Sequence, residues 1–146
     1  MGTNYYLEST ASLPQPFGRP RIHIGKSSGG WCFSLHVYPG SDDIGRPTDL
    51  DEWAVMMDAT TADGSARIID ENGTVLTVTE MLEAITVRSW DRKMTFPNSH
   101  YASEAEFHRL NHSEPGPNGL VRHKIEPQHC IGHGAGTWDL IIGDFS

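Results

Sequence analysis

The chain has no apolar run approaching the roughly 18 residues that a membrane-spanning helix needs. Its first residues also lack the basic start and apolar stretch of a signal peptide, so the expectation is a cytoplasmic protein without membrane contact. Cysteine is scarce. Cys32 and Cys130 are too few for a disulfide framework, which leaves free thiols or a metal ligand. Basic residues are also few: 11 Lys and Arg stand against 19 Asp and Glu, a net charge of -8 at pH 7. Such a balance argues against nucleic acid as a partner, because that hold relies on neutralising many phosphates. The loose cluster Arg88, Arg92 and Lys93 is too small to change this and reads as a solvated helix end.

What is present is punctuation. Fifteen glycines and nine prolines are spread along the chain without a repeat or a linker, which predicts many tight turns between short elements. A length of 146 residues suits a single domain over 1–146 with a real core. Thr3 to Leu7 reads as a short edge strand, Arg21 to Gly25 as another, and Trp31 to Tyr38 as a longer one. In that longer strand Trp31, Phe33, Leu35 and Val37 share one face, the best core set in the sequence, while Cys32, Ser34, His36 and Tyr38 share the other.

Thr48 with Asp51 predicts a helix start, and Leu50, Trp53, Met56 and Met57 give it an apolar stripe over about 49–58. Asn72-Gly73 predicts a hairpin between strands Ala66 to Asp70 and Thr74 to Thr77. Thr77 with Glu80 forms a capping box for a second helix that buries Met81, Leu82, Ile85 and Trp90. A third helix is expected from Ser99 to Leu110, with Phe107 and Leu110 inward, then strands Leu120 to Ile125 and Trp138 to Ile142 joined by a loop from Glu126 to Gly136. Strands and helices do not alternate strictly. The expected class is therefore α+β, a small mixed or antiparallel sheet with two or three short helices packed on it.

Two places carry candidate chemistry. The loop Gly25-Lys26-Ser27-Ser28-Gly29-Gly30 lacks the earlier glycine of a phosphate loop, having Arg21 there, and a strand follows it instead of a helix. Small residues and amides in such a turn still suit a small anion, which makes Arg21, Lys26, Ser27, Ser28 and Trp31 candidate ligand-binding residues. Cys130-Ile131-Gly132-His133 is half of a zinc motif. Closing a tetrahedral site needs a further pair. His36 and His123 are candidates beside Cys130 and His133, His108 and His112 stand four apart, and spacing does not choose among these sets. A Cys-His nucleophile and base at the same loop would need an orienting group such as Asp139 or Asp144.

Three stretches together carry a resemblance: Met1-Gly2-Thr3-Asn4-Tyr5-Tyr6-Leu7, His23 to His36, and Cys130 to Gly134 with Gly136 to Leu140. The chain resembles a family of small bacteriophage and prophage proteins to which no activity is attached. Some members of that family carry a Cys-x-x-Cys pair before the His-Ile-Gly-Lys stretch, where this chain has Pro14, Pro16 and Gly18. If those cysteines bind metal, the resemblance implies a site here that is lost or rebuilt from histidines. It also implies action in the host cytoplasm as an accessory protein.

The leading expectation is thus a phage accessory binding protein that inhibits a host protein or captures a small anionic ligand. The alternative is a small zinc-dependent hydrolase or a zinc-stabilised protein-interaction module. Exposure of Trp31, Trp90 or Trp138 in one patch would favour an interaction surface.

Overall fold

A computed structural model of the chain describes residues 2–11, 18–124, 130–133, 136 and 138–145, the stretch 130–133 by its backbone alone. Strands β1 (Gly2–Ser9), β2 (Arg21–Ser28) and β3 (Phe33–His36) are followed by helix α1 (Leu50–Ala62). Next come β4 (Ala66–Asp70), β5 (Val75–Leu76), α2 (Val78–Thr86) and α3 (Glu104–Leu110). The last strands are β6 (Ser113–Pro115), β7 (Val121–His123), β8 (Cys130–His133) and β9 (Trp138–Ile141).

Seven strands form one sheet in the order β5-β4-β1-β2-β3-β9-β8, and β6 pairs with β7 separately. Only β3 and β9 run parallel; the remaining pairs are antiparallel. This is the expected α+β class, with a mixed sheet and three short helices. No helix among the described residues is long and apolar enough to cross a membrane.

The core lies between the sheet and the first two helices. Leu7, Ile24, Phe33, Leu35 and Ile68 of the sheet meet Trp53 and Met57 of α1 and Met81 and Ile85 of α2. Each fully buried side chain of this kind contributes about 1.5–3 kcal/mol over its exposed state. Gly25 lets β3 come close, since a Cβ there would stand 2.2 Å from the Ser34 carbonyl oxygen and 2.5 Å from the Phe33 ring.

The capping box of α2 forms as the sequence predicts: the Glu80 amide donates to Thr77 Oγ1 (3.1 Å) and the Thr77 amide to Glu80 Oε1 (3.0 Å). We expect Thr77→Ala to cost about 1 kcal/mol of stability, measured by denaturant unfolding. The Asn72-Gly73 turn also forms, with Gly73 at φ +84° and Asp70 Oδ1 accepting from the Asn72 and Thr74 amides.

Several sequence expectations need correction. β1 is an interior strand between β2 and β4. The strand predicted from Trp31 to Tyr38 shortens to Phe33–His36, because Trp31 leaves the sheet to bridge Val121. Asp49 caps α1 in place of Thr48, accepting from the Glu52 amide, and the helix runs four residues past the expected end. Trp90 lies beyond α2 and Leu110 is 52% exposed, so neither joins the core. α3 starts after its cap Ser103, and His112 follows its end at φ +49°, so His108 and His112 do not share a helical face. Two expected loops are partly strand: β2 extends through Ser28, and Cys130–His133 forms β8.

Candidate functional site

A β-bulge builds the most unusual polar cluster. Tyr5 pairs with Gly25 but Tyr6 pairs with His23, so Ile24 is the extra residue on β2. Strict alternation would put His23 on the same face as Gly25 and the core. The bulge turns Ile24 into the core and carries His23 to the opposite face, where Asn4 of β1 and His36 of β3 meet it.

The hydrogen bonds there fix the protons. Asn4 Nδ2 donates to Glu71 Oε2 (3.3 Å), which turns Asn4 Oδ1 toward His23 Nε2 (2.9 Å). His23 therefore carries its proton on Nε2 and offers the Nδ1 lone pair to His36 Nδ1, 2.9 Å away. His36 must then carry its proton on Nδ1. Tyr38 agrees with this, because its hydroxyl donates to the His23 carbonyl (2.8 Å) and accepts at 3.1 Å from His36. Both rings are neutral, and His36 Nε2 accepts no hydrogen bond from a described residue. The His36 carbonyl accepts from the Trp53 indole (2.7 Å), Tyr38 stacks on the His36 ring at 4.1 Å, and Phe145 packs against both imidazoles.

Burial lowers the pKa of His23 to about 4, with His36, Lys26 and Arg21 adding repulsion and Asp144 opposing. Burial likewise lowers His36 to about 4; Asp144 pulls against it and Arg46 adds to it. Tyr38 is pushed up to about 12, chiefly by burial. The rings open onto a cavity of about 580 Å³ with Arg21, Arg46, Asp43 and Asp144 on its walls. Arg46 is engaged by Asp43 at 3.7 Å, whereas Arg21 rests over the Tyr6 ring at 4.2 Å and makes no ion pair with a described residue.

The residues expected to bind an anion are divided. Arg21 reaches this cavity, and Lys26 acts on it through its charge. Ser27 and Ser28 instead hold Arg88, whose guanidinium donates to Ser27 Oγ (2.6 Å) and to the Ser28 carbonyl (2.8 Å). Arg88 is thus half-buried and occupied rather than solvated. Trp31 lies elsewhere, against Phe107 and His123, in a second cavity of about 740 Å³ that also takes in Trp90. Trp53 and Trp138 pack in or against the core.

The expected metal ligands are also spread out. His36 sits in the imidazole cluster. His123 instead donates from Nδ1 to the fully buried Asp139 (2.7 Å), which also accepts the His123 amide (2.9 Å) and has Arg122 at 3.7 Å. The backbone register places His133 beside Asp139 and Cys130 beside Ile141, itself the neighbour of His36; the Cys130 and His133 side chains lie outside the described residues. Among the described residues no three His, Cys, Asp or Glu side chains are grouped to hold a metal ion. Cys32 is buried, and burial with the nearby Asp139 pushes its thiol up to about 12, so it is not a thiolate near neutral pH.

Sequence reasoning did not find Asn4 or Tyr38. The only sequence signal was the presence of His23 and His36 on the first hairpin. Comparison of the chain with family models, curated proteins and solved structures gives no match.

Proposed function

We propose that the protein captures a small anionic ligand in the His23–His36 cavity. The observation that carries this reading is the local charge. In a chain of net charge -8, Arg21 and Arg46 stand at the cavity wall with Lys26 acting from farther off; Asp43 engages Arg46, which leaves Arg21 and Lys26 against Asp144 around the imidazole pair. Arg21 supplies a guanidinium without an ion pair among the described residues, and the neutral His36 offers Nε2 as an acceptor to a donor group on the same ligand. A carboxylate or phosphate beside a hydroxyl meets both demands. With the phage resemblance, this makes the chain an accessory protein that sequesters its ligand in the host cytoplasm.

The test is titration with inorganic phosphate and with malate, followed by the imidazole nitrogen signals in NMR. Saturable binding near or below about 1 mM is expected, weakened about tenfold or more by Arg21→Ala, the scale of a lost charge-assisted contact. Absence of saturation, or an unchanged affinity in Arg21→Ala, would overturn the proposal.

A further inference from the structure

The second cavity has a different chemistry. Its walls include Trp31, Trp90, Phe96, Tyr101 and Phe107, and its volume of about 740 Å³ is in the range of small-molecule sites. The aromatic rings are organised. Phe107 is the buried centre, with Tyr101 at 5.0 Å, Phe96 at 5.8 Å and Trp31 at 6.4 Å between ring centroids.

Trp90 sits apart from this set, against the Gly29–Gly30 turn. A Cβ on Gly29 would lie 3.6 Å from its Cη2 and Cζ3, and one on Gly30 would lie 3.5 Å from its Cε2. The indole is thus braced on bare backbone while 37% of the residue stays exposed. An aromatic residue held in place yet left open is a stacking platform.

Two neighbouring cations are also unused. Arg92 and Lys93 line the same cavity, both exposed, and neither makes an ion pair or hydrogen bond with a described residue. Arg88, four residues before Arg92, is by contrast fully engaged. Asn111, also in the lining, uses Nδ2 to donate to Tyr101 Oη (3.2 Å) and to the Phe107 carbonyl (2.9 Å). Its remaining Oδ1 is an acceptor, and the Glu104 carboxylate, which has His108 Nε2 at 3.6 Å from Oε1, adds another.

We infer that this cavity binds a free nucleotide, its base stacked on Trp90 and its phosphate held by Arg92 and Lys93. A planar heteroaromatic ring with amino donors at its edge and an anionic tail meets the stacking surface, the acceptors and the paired cations together. The overall charge of -8 opposes a long polynucleotide, whose binding needs many phosphates neutralised, and so favours the mononucleotide.

The experiment is calorimetric titration of the whole chain with GMP, whose base carries two edge donors, with ribose 5-phosphate as the baseless control and a single-stranded decamer as the polymer. GMP is expected to bind, with ribose 5-phosphate at least about tenfold weaker, since a base–aromatic stack is worth about 1–3 kcal/mol. Trp90→Ala and the double variant Arg92→Ala/Lys93→Ala should each weaken GMP about tenfold or more, while Arg21→Ala leaves it unchanged. That last comparison separates this site from the imidazole cavity. The double variant alters exposed side chains only, so it decides the matter even if Trp90→Ala unfolds. No GMP binding, equal binding of ribose 5-phosphate, insensitivity to the double variant, or tighter binding of the decamer would each overturn the proposal.

Discussion

Acidification from pH 7 to pH 4 is expected to remove stability through the imidazole pair, about 3 kcal/mol from His36 alone. The sign follows from the direction of the shift. His36 has a folded pKa of about 4 against an ordinary value of 6.5, and burial is the main cause. Between those values the unfolded chain binds a proton that the folded chain refuses, so stability rises with pH across the window and falls on acidification. Well above pH 6.5 both states are neutral and the group contributes no slope. His23 shifts the same way but is less buried, so its share is smaller.

Geometry supplies the mechanism. The contact between His23 Nδ1 and His36 Nδ1 at 2.9 Å needs one lone pair, and a proton on His23 Nδ1 would set two N–H groups against each other. Denaturant unfolding at pH 7, 5.5 and 4 should show the loss in the wild type and a flatter profile in His36→Asn. An imidazole titration of His23 in the folded protein with a midpoint near 6.5 would refute the proton arrangement.

Trp53→Ala is expected to be the most damaging single substitution, at about 4 kcal/mol, because a fully buried indole leaves a cavity that neighbours fill only in part. Trp53 also donates from its indole to the His36 carbonyl at 2.7 Å. Trp53→Phe keeps most of the volume but orphans that carbonyl, a loss of about 1–3 kcal/mol. The two variants separate packing from the hydrogen bond when their unfolding free energies are compared. A change below about 1 kcal/mol in Trp53→Ala would mean that the indole is not the core member described.

Local features were legible where the signal was local. The Thr77–Glu80 box, the Asn72-Gly73 turn, the apolar face of Phe33, Leu35 and Val37, and the stripe Trp53, Met57, Met81 and Ile85 all rest on contacts within a few residues or on simple periodicity. The separation of Trp31 from its strand was not legible, since a distant partner sets it: Val121 draws Trp31 out of the sheet, whereas α3 starts at a local cap, Ser103 accepting from the Glu106 amide, that the reading from Ser99 passed over. The loop from Gly25 to Gly30 had the composition of a turn, yet pairing with β1 makes most of it strand.

By itself the sequence determined the class of fold, the core residues of its helices and central strand, and a net charge of -8, because composition and period act locally along the chain. Tertiary structure alone decided the sites. The bulge at Ile24 reverses the facing of His23 and joins it to Asn4 and His36, and the return of the chain past Gly29 and Gly30 lays Trp90 in one cavity with Arg92 and Lys93. These groups are far apart in sequence and meet only through strand register and chain return, and a one-residue register change leaves hardly a mark on composition or period.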